Sequence, residues 1–372
     1  MSLAMIPAEP ADLAREVRIV DATETAPAAW DEMAVRSAMG EAFQCHAWGE
    51  LKRSLGWTPL RYVIELAGRP IGVASIQERS FLGRHAGPLG RFRVHYAPRG
   101  PVLLDTDPTA AMAALVGLRL VAGARHALSL TVDPAWEEGS DLGGVLAGCG
   151  FRPAAREIQV SRTSMIVPLE ASEPAQRALL GHTTYADIDR AVGLGVTTER
   201  VDLTEEATRE AALVEFFDMH AATGKREGFL VRDRDYELRQ WRSLGESGVA
   251  SLWFAGLGGR DTGALLLHSG KLVVYFAAGS RDDADMRQTR ANHLLQWRII
   301  RWAAESGYRG YDMGGVDTHT APGVPQDESH PLWNLYLFKR RFGGRPALRV
   351  RAREYAPNAV VAAAWRFGRR FR

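Results

Sequence analysis

Cysteine is nearly absent: Cys45 and Cys149 are the only two in 372 residues. They are too few for a disulfide framework and lack metal-knuckle spacing, so a reducing cytoplasm is the expected compartment. Charge of one sign is also lacking, with 46 Lys and Arg against 44 Asp and Glu and a formal net of +2. No apolar run approaches the roughly 18 residues of a membrane span; the nearest candidate, 359–365, is far shorter. Glu9, Asp12, Glu16 and Asp21 interrupt the N-terminal segment, which therefore does not read as a secretory signal. A Gly-x-Ser-x-Gly elbow is missing, as is a catalytic-cysteine context, so a covalent protein nucleophile is not expected. What remains is 46 % hydrophobic and 24 % charged, ordinary usage for a soluble globular chain with enough length for two cores.

An approximate duplication organises the chain. Leu66-Ala-Gly-Arg-Pro-Ile-Gly72 and Leu257-Gly-Gly-Arg-Asp-Thr-Gly263 each follow β-type residues (61–65 and 251–255) and precede another short apolar run, so both read as hairpin turns. An apolar-periodic helix follows in each half, 110–122 and 291–305, ending near Gly123 and Gly307 and leading to strands at 127–132 and 308–313. Hairpin, helix and strand recurring in one order favour duplication over chance. The polar connector 169–174 marks the boundary, giving a first domain over 1–170, a second over 171–345 and a basic tail over 346–372. Within the second half, 185–192 and 205–223 read as helices and 196–201 as a strand. The expected class is α+β: two tandem acetyltransferase-like domains with mixed, largely antiparallel sheets. Such a fold holds coenzyme A through glycine-rich backbone at a helix start, where N–H groups can approach phosphate. The turns here, Arg287-Gln-Thr-Arg-Ala-Asn292 and Asp105-Thr-Asp-Pro-Thr-Ala110, carry no glycine. Acetyl-coenzyme A is therefore disfavoured as donor, although Arg287 and Arg290 could meet another anion.

Six motifs in order then carry a family resemblance: Gln44-Cys-His-Ala-Trp-Gly-Glu-Leu-Lys52 with Gly56-Trp57; Tyr96-Ala-Pro-Arg-Gly-Pro-Val102; Arg226-Glu-Gly-Phe229 with Arg232 and Tyr236; Leu294-Leu-Gln-Trp297; Tyr311-Asp-Met-Gly-Gly315; and Leu337-Phe-Lys-Arg-Arg-Phe-Gly-Gly344. The sequence resembles the Fem family of peptidoglycan-bridge aminoacyltransferases over nearly its whole length. The long helical arm of some members is missing, which resembles the arm-less branch, and Ala277 stands where some members place a tyrosine two positions after Tyr275. The resemblance implies two fused acetyltransferase-like domains working in cell-wall biogenesis and cell shape. It implies transfer of Gly, Ala or Ser from aminoacyl-tRNA, a co-substrate rather than a cofactor, to the stem-peptide amine of lipid II or its nucleotide-linked precursor. The alternative is an acyltransferase of the same fold acting on another envelope amine or polysaccharide without tRNA.

An aminoacyl ester is already activated, so the chemistry needs an amine to attack it and a fixed cation or donor for the oxyanion. The resemblance gives that role to Lys339, whose alternative is a surface lysine on a basic strand. Phe338 could face the terminal adenine of the donor, its alternative being a core-packing aromatic. For the acceptor, with its diphosphate and carboxylates, the matching positions are the cations Lys52 and Arg232. Tyr236 shares a side with Arg232 if that segment is helical, and Tyr96, Arg99 and Tyr275 complete the substrate-binding set. Asp105 ranks low as a general base.

Asp317, His319, Asp327, Glu328 and His330 fall within fourteen residues. Without helix or knuckle spacing they read as a loop over the cleft, and no metal is expected. From Lys339 onward eleven basic residues face one acid, leaving the rest of the chain at −8. Such an end suits tRNA phosphates or the inner membrane face, and 360–372, with Val361, Trp365 and Phe367 among arginines, could lie on a membrane. The expected oligomeric state is a monomer.

Overall fold

The computed structural model describes residues 10–80, 92–281, 288–318 and 323–358. Two compact units emerge, one formed by residues 1–159 with 348–372 and the other by 160–347.

The first unit begins with β1 (Val17–Asp21), then the antiparallel hairpin β2 (Thr58–Leu66) and β3 (Arg69–Ser80). The turn between them is Ala67-Gly68, both at positive φ (49° and 76°), the two-residue geometry whose twist matches flanking strands. β4 (Arg93–Ala97) pairs antiparallel with β3 and parallel with β6 (Ala127–Val132), while β5 (Val102–Leu103) pairs with β3. Parallel neighbours need a crossover, supplied by the helix Pro108–Ala124. Pro108 at its first turn and the Asp107 carboxylate accepting from the N–H of Thr109 (2.7 Å) start that helix. Its apolar residues, Leu115 and Leu118 among them, are fully buried in the first core, and each such leucine contributes about 2 kcal/mol by burial. Gly117 lets the helix close on the sheet, because a Cβ there would come within 2.7 Å of Ile19 Cδ1 and 3.0 Å of Ile64 Cγ2. The sheet continues through β15 (Arg353–Tyr355) to β7 (Arg152–Pro153).

In the second unit the sheet order is β14 (Arg345–Leu348), β8 (Thr163–Pro168), β13 (Gly310–Gly315), β12 (Leu272–Ser280), β11 (Thr262–Ser269), β10 (Ala250–Gly256) and β9 (Thr197–Val201). Here β12 and β13 are the parallel pair, crossed over by the helix Ala291–Glu305, whose Leu294, Leu295, Ile299 and Ile300 are buried. Each unit thus has an antiparallel meander, a long crossover helix and a parallel strand in that order, the repeat that the sequence predicts.

Several boundaries differ from the sequence reading. β8 belongs to the second sheet, so the chain crosses between units near residue 160, ahead of the polar connector. The strand expected at 308–313 is Gly310–Gly315. The helix expected at 185–192 spans His182–Gly193, and that at 205–223 runs Glu206–Glu227 and stops at Gly228 in the left-handed conformation (φ 74°). The described part of the basic segment is not a free tail: Arg349 donates to the Ala135 carbonyl (2.7 Å), Arg351 pairs with Glu157 (3.2 Å), and β15 joins the first sheet. The amphipathic stretch 360–372 lies outside the described residues, as do Arg287 and His319. Cys45 and Cys149 are buried free thiols. Among the described residues no helix is long and apolar enough to cross a membrane.

Candidate functional site

The second unit supplies an opened sheet. β12 and β13 pair only over Leu272↔Gly310, Val273↔Tyr311 and Val274↔Asp312, after which no ladder joins them. On its other side β12 shifts register against β11 between Leu265 and Leu266, leaving Phe276 as the extra residue of a bulge, and a bulge increases local bend and twist. β13 also breaks register against β8 between Asp312 and Gly315, with Gly314 at φ 81°, a conformation glycine adopts without steric cost. The Asp312 carboxylate accepts the Gly314 N–H at 2.8 Å and holds that turn.

Lys339 points into this place. It lies in the last turn of the helix Trp333–Arg341, not on a strand, and is only 5 % exposed. That corrects the surface-strand alternative: the helix turns Lys339 inward while Arg340 stays outside. Its ammonium donates to the Gly315 carbonyl (2.8 Å). A Cβ at Gly314 would stand 3.7 Å from Lys339 Nζ and 3.4 Å from the Tyr275 carbonyl, so Lys339 and the Tyr275 backbone meet at the same glycine. Burial depresses the Lys339 ammonium to about 8, with Asp312 opposing the shift. A lysine so placed is still mostly charged at neutral pH and poorly hydrated.

Tyr275 belongs to a buried polar chain. Gln296 is fully buried, accepts the Tyr311 hydroxyl at 2.7 Å and hydrogen-bonds the Tyr275 side chain, whose ionisation burial pushes upward. Phe338 packs edge-on to His293 (5.2 Å between ring centres) and against Phe342 (5.1 Å), as a partly buried aromatic of the second core. Arg290 caps the crossover helix at φ 58° and meets Asp187 at 3.0 Å, with His293 3.4 Å from the same carboxylate. The anion that Arg290 faces is therefore a side chain of this unit.

Arg232 and Tyr236 form a separate group. Arg232 precedes the helix Arg234–Glu246, and its guanidinium lies 5.3 Å from the Tyr236 ring centre. Asp233 caps that helix by accepting from the N–H groups of Asp235 (3.0 Å) and Tyr236 (3.2 Å).

In the first unit, Tyr96 and Arg99 converge on Asp133, a residue that sequence reasoning missed. Asp133 is 2 % exposed and accepts from the Tyr96 hydroxyl (3.0 Å), the Arg99 N–H (2.7 Å) and the Gln159 amide (2.7 Å). Burial pushes its carboxyl upward, with Arg99 the leading opposing influence. Arg99 takes φ 54°, a costly conformation for a side chain of its size that its bond to Asp133 holds. Gln44, also fully buried, clamps the same segment by donating to the Pro98 carbonyl (2.6 Å) while its own carbonyl accepts the Ser75 N–H (2.6 Å). Lys52 sits on the helix His46–Ser54 with its ammonium 4.2 Å from the Trp48 ring centre. Asp105 is an exposed turn residue that accepts the Asp107 N–H (3.1 Å).

The acidic cluster expected over the cleft divides. Asp317 is buried and accepts from Ser161, Arg162, Thr163 and Gly323, which makes it a structural tie onto the start of β8. Asp327 holds Ser329 and His330 holds Leu332 in local turns. Among the described residues no three His, Cys, Asp or Glu side chains come together as a metal site.

The acetyltransferase (GNAT) domain family matches residues 184–320. Over 377 residues the chain is 24 % identical to a Lipid II:glycine glycyltransferase of Staphylococcus haemolyticus (strain JCSC1435), covering 82 % of this chain and 85 % of that protein. A Staphylococcus aureus protein of the same name is 23 % identical over 379 residues with the same coverage. The crystal structure of FemX superposes with a TM-score of 0.74 at 20 % identity, over 91 % of this chain and 97 % of that one. The chain is similar to FemX and to these glycyltransferases over most of its length. Its fold is the tandem acetyltransferase-like architecture, and the opened β12 and β13 lie within the segment that the acetyltransferase domain family matches. Lys339 lies beyond that segment and enters the opening from a later helix.

Proposed function

We propose that this protein is a Fem-type non-ribosomal aminoacyltransferase that moves glycine, alanine or serine from aminoacyl-tRNA to the stem-peptide amine of a peptidoglycan precursor. The observation that carries this reading is the desolvated Lys339 ammonium at the opening between β12 and β13. The Staphylococcus relatives named Lipid II:glycine glycyltransferase support the acceptor and the enzyme class.

The neutral acceptor amine attacks the ester carbonyl carbon, forming the C–N bond and placing the carbonyl electron pair on oxygen. Lys339 faces that oxyanion as a donor whose hydration has already been removed, so its field acts in a low-dielectric site. Collapse re-forms the carbonyl and expels the ribose oxygen of the tRNA, which takes the proton that the amine loses. An amide and deacylated tRNA result, without a protein-bound intermediate. Tyr275, ordered through Gln296 and Tyr311, lines the same opening. Phe338 offers its partly exposed ring to the terminal adenine.

On the acceptor side, Arg232 supplies the planar donor set suited to a diphosphate, with Tyr236 beneath it. Tyr96 and Arg99, held by Asp133, and Lys52 supply the acceptor contacts of the first unit. The test is label transfer from tRNA charged in turn with glycine, alanine and serine to lipid-linked and nucleotide-linked muramyl pentapeptide. Label on the stem peptide that ribonuclease treatment of the donor abolishes supports the reading. Transfer with ribonuclease-treated donor, or to neither acceptor with folded protein, refutes it.

A further inference from the structure

The segment just before Arg232 is unusual for a soluble surface. The helix Glu206–Glu227 ends at Gly228, and the chain then presents Phe229 and Leu230 outward, at 42 % and 91 % exposure. Leu230 is the most exposed large apolar residue among those described. It stands at a tip and is framed on both sides by exposed cations: Lys225 and Arg226 before it, Arg232 and Arg234 after it. Glu227 and Asp233 are the acids of the same stretch. The first pairs with Arg226 (2.9 Å) and the second caps the following helix, so over 225–234 four cations stand against two acids that already have local partners, and Asp235 and Glu237 follow on the helix. The tip is also firmly based. Val231 and Phe229 close over Gly224, where a Cβ would come within 2.3 Å of Val231 Cγ2, and the Phe229 ring lies 5.3 Å from that of His220.

We propose that the Phe229–Leu230 tip with its flanking arginines and lysine docks on an anionic lipid bilayer. The proposal rests on the reading of Arg232 as the ligand of the acceptor diphosphate. In a lipid-linked acceptor the diphosphate sits at headgroup depth, because it joins the sugar to the chain buried in the bilayer. An arginine that grips it must then stand at that depth. The apolar residue two positions before Arg232 is Leu230, and it enters the acyl boundary when Arg232 reaches the phosphates. Lys225 and Arg234 meet anionic headgroups beside it. An apolar residue among interfacial cations is the pattern of reversible surface binding, in which neither part suffices alone. The surface thus selects the lipid-linked over the nucleotide-linked form by bringing the enzyme to the plane where the former resides.

The experiment measures partitioning of the full chain onto vesicles of phosphatidylcholine with phosphatidylglycerol and onto phosphatidylcholine alone, for wild type, Leu230→Glu and Leu230→Trp. Because Leu230 is exposed, Leu230→Glu keeps the fold, which a thermal melt verifies. Wild type binds the anionic vesicles, Leu230→Glu weakens that binding about tenfold or more, and Leu230→Trp retains or strengthens it. Transfer is assayed in parallel: Leu230→Glu lowers transfer to vesicle-borne acceptor and leaves transfer to the nucleotide-linked acceptor unchanged. Equal partitioning of wild type and Leu230→Glu overturns the proposal, and so does a loss of self-association, rather than of lipid binding, in Leu230→Glu. Loss of transfer to both acceptors in wild type, with leucine-dependent vesicle binding intact, refutes the proposed activity and leaves the docking surface standing.

Discussion

Replacing Lys339 by methionine separates catalysis from stability in opposite directions. Lys339 is 5 % exposed, and burial brings its ammonium from an ordinary 10.5 down to about 8. A depression of that size means that the folded protein holds the charged form at a cost of about 3 kcal/mol relative to water. Between pH 8 and 10.5 the unfolded chain binds more protons than the folded one, so stability rises with pH across that window. Below pH 8 the cost is fully present. Lys339→Met has similar length and no charge and removes that cost, but it leaves the Gly315 carbonyl without its donor (2.8 Å in the native protein), which takes back about 1 kcal/mol. The variant should therefore be about 2 kcal/mol more stable at pH 7, and its thermal midpoint should lose the rise between pH 8 and 10. Its turnover should fall about a hundred- to a thousand-fold, as when one oxyanion donor is removed, with acceptor affinity near wild type. The pH profile gives the sharpest evidence. The free acceptor amine increases with pH up to its own pKa of about 10, whereas the Lys339 ammonium is lost above about 8. Wild-type turnover should rise and then level off near pH 8, while the residual turnover of Lys339→Met continues to rise. A destabilised variant would refute the desolvation argument, and a plateau retained in Lys339→Met would refute the catalytic assignment.

Other substitutions test the remaining geometry. Arg232→Ala should weaken acceptor binding in calorimetry about tenfold or more by loss of a charge-assisted pair, and unchanged affinity would return Arg232 to a purely local role over Tyr236. Asp133→Ala orphans three donors from Tyr96, Arg99 and Gln159; it should cost about 2–3 kcal/mol in denaturant unfolding and loosen acceptor binding with turnover at saturation little changed. Asp317 is held below the ordinary carboxyl range, with burial opposed by its bonds to Ser161, Thr163 and Gly323. Its contribution is present above about pH 4 and lost as pH falls through the lower folded value, so Asp317→Asn should be less stable at pH 7 and lose less than wild type on acidification.

What was legible in the sequence was local. Ala67-Gly68 and the long apolar helices announced themselves through turn chemistry and periodicity, and their repetition gave the tandem architecture. The β12 bulge and the Gly314 turn were not legible, because register is set by the partner strand: nothing near Phe276 or Gly314 tells how Leu265 or Ser164 will pair. The burial of Lys339 follows from that turn, so composition alone counted it among the basic residues of a tail. Arg353–Tyr355 was lost for the same reason, since its partners Leu130–Val132 lie more than two hundred residues earlier. Asp133 carried a faint signal, an acid placed at the end of an apolar strand and ahead of Pro134. Its importance became visible only when residues 96, 99 and 159 converged on it.

The most direct measurement of the central claim is the position of the added mass on the product. Purified protein, glycyl-, alanyl- or seryl-tRNA and a muramyl pentapeptide acceptor are combined, and the stem peptide is fragmented by mass spectrometry. Aminoacyl addition in amide linkage on the side-chain amine of the third stem residue, absent with deacylated tRNA and about a hundred- to a thousand-fold slower with Lys339→Met, is the result expected. Addition elsewhere on the acceptor, or addition that persists without aminoacyl-tRNA, would contradict the account.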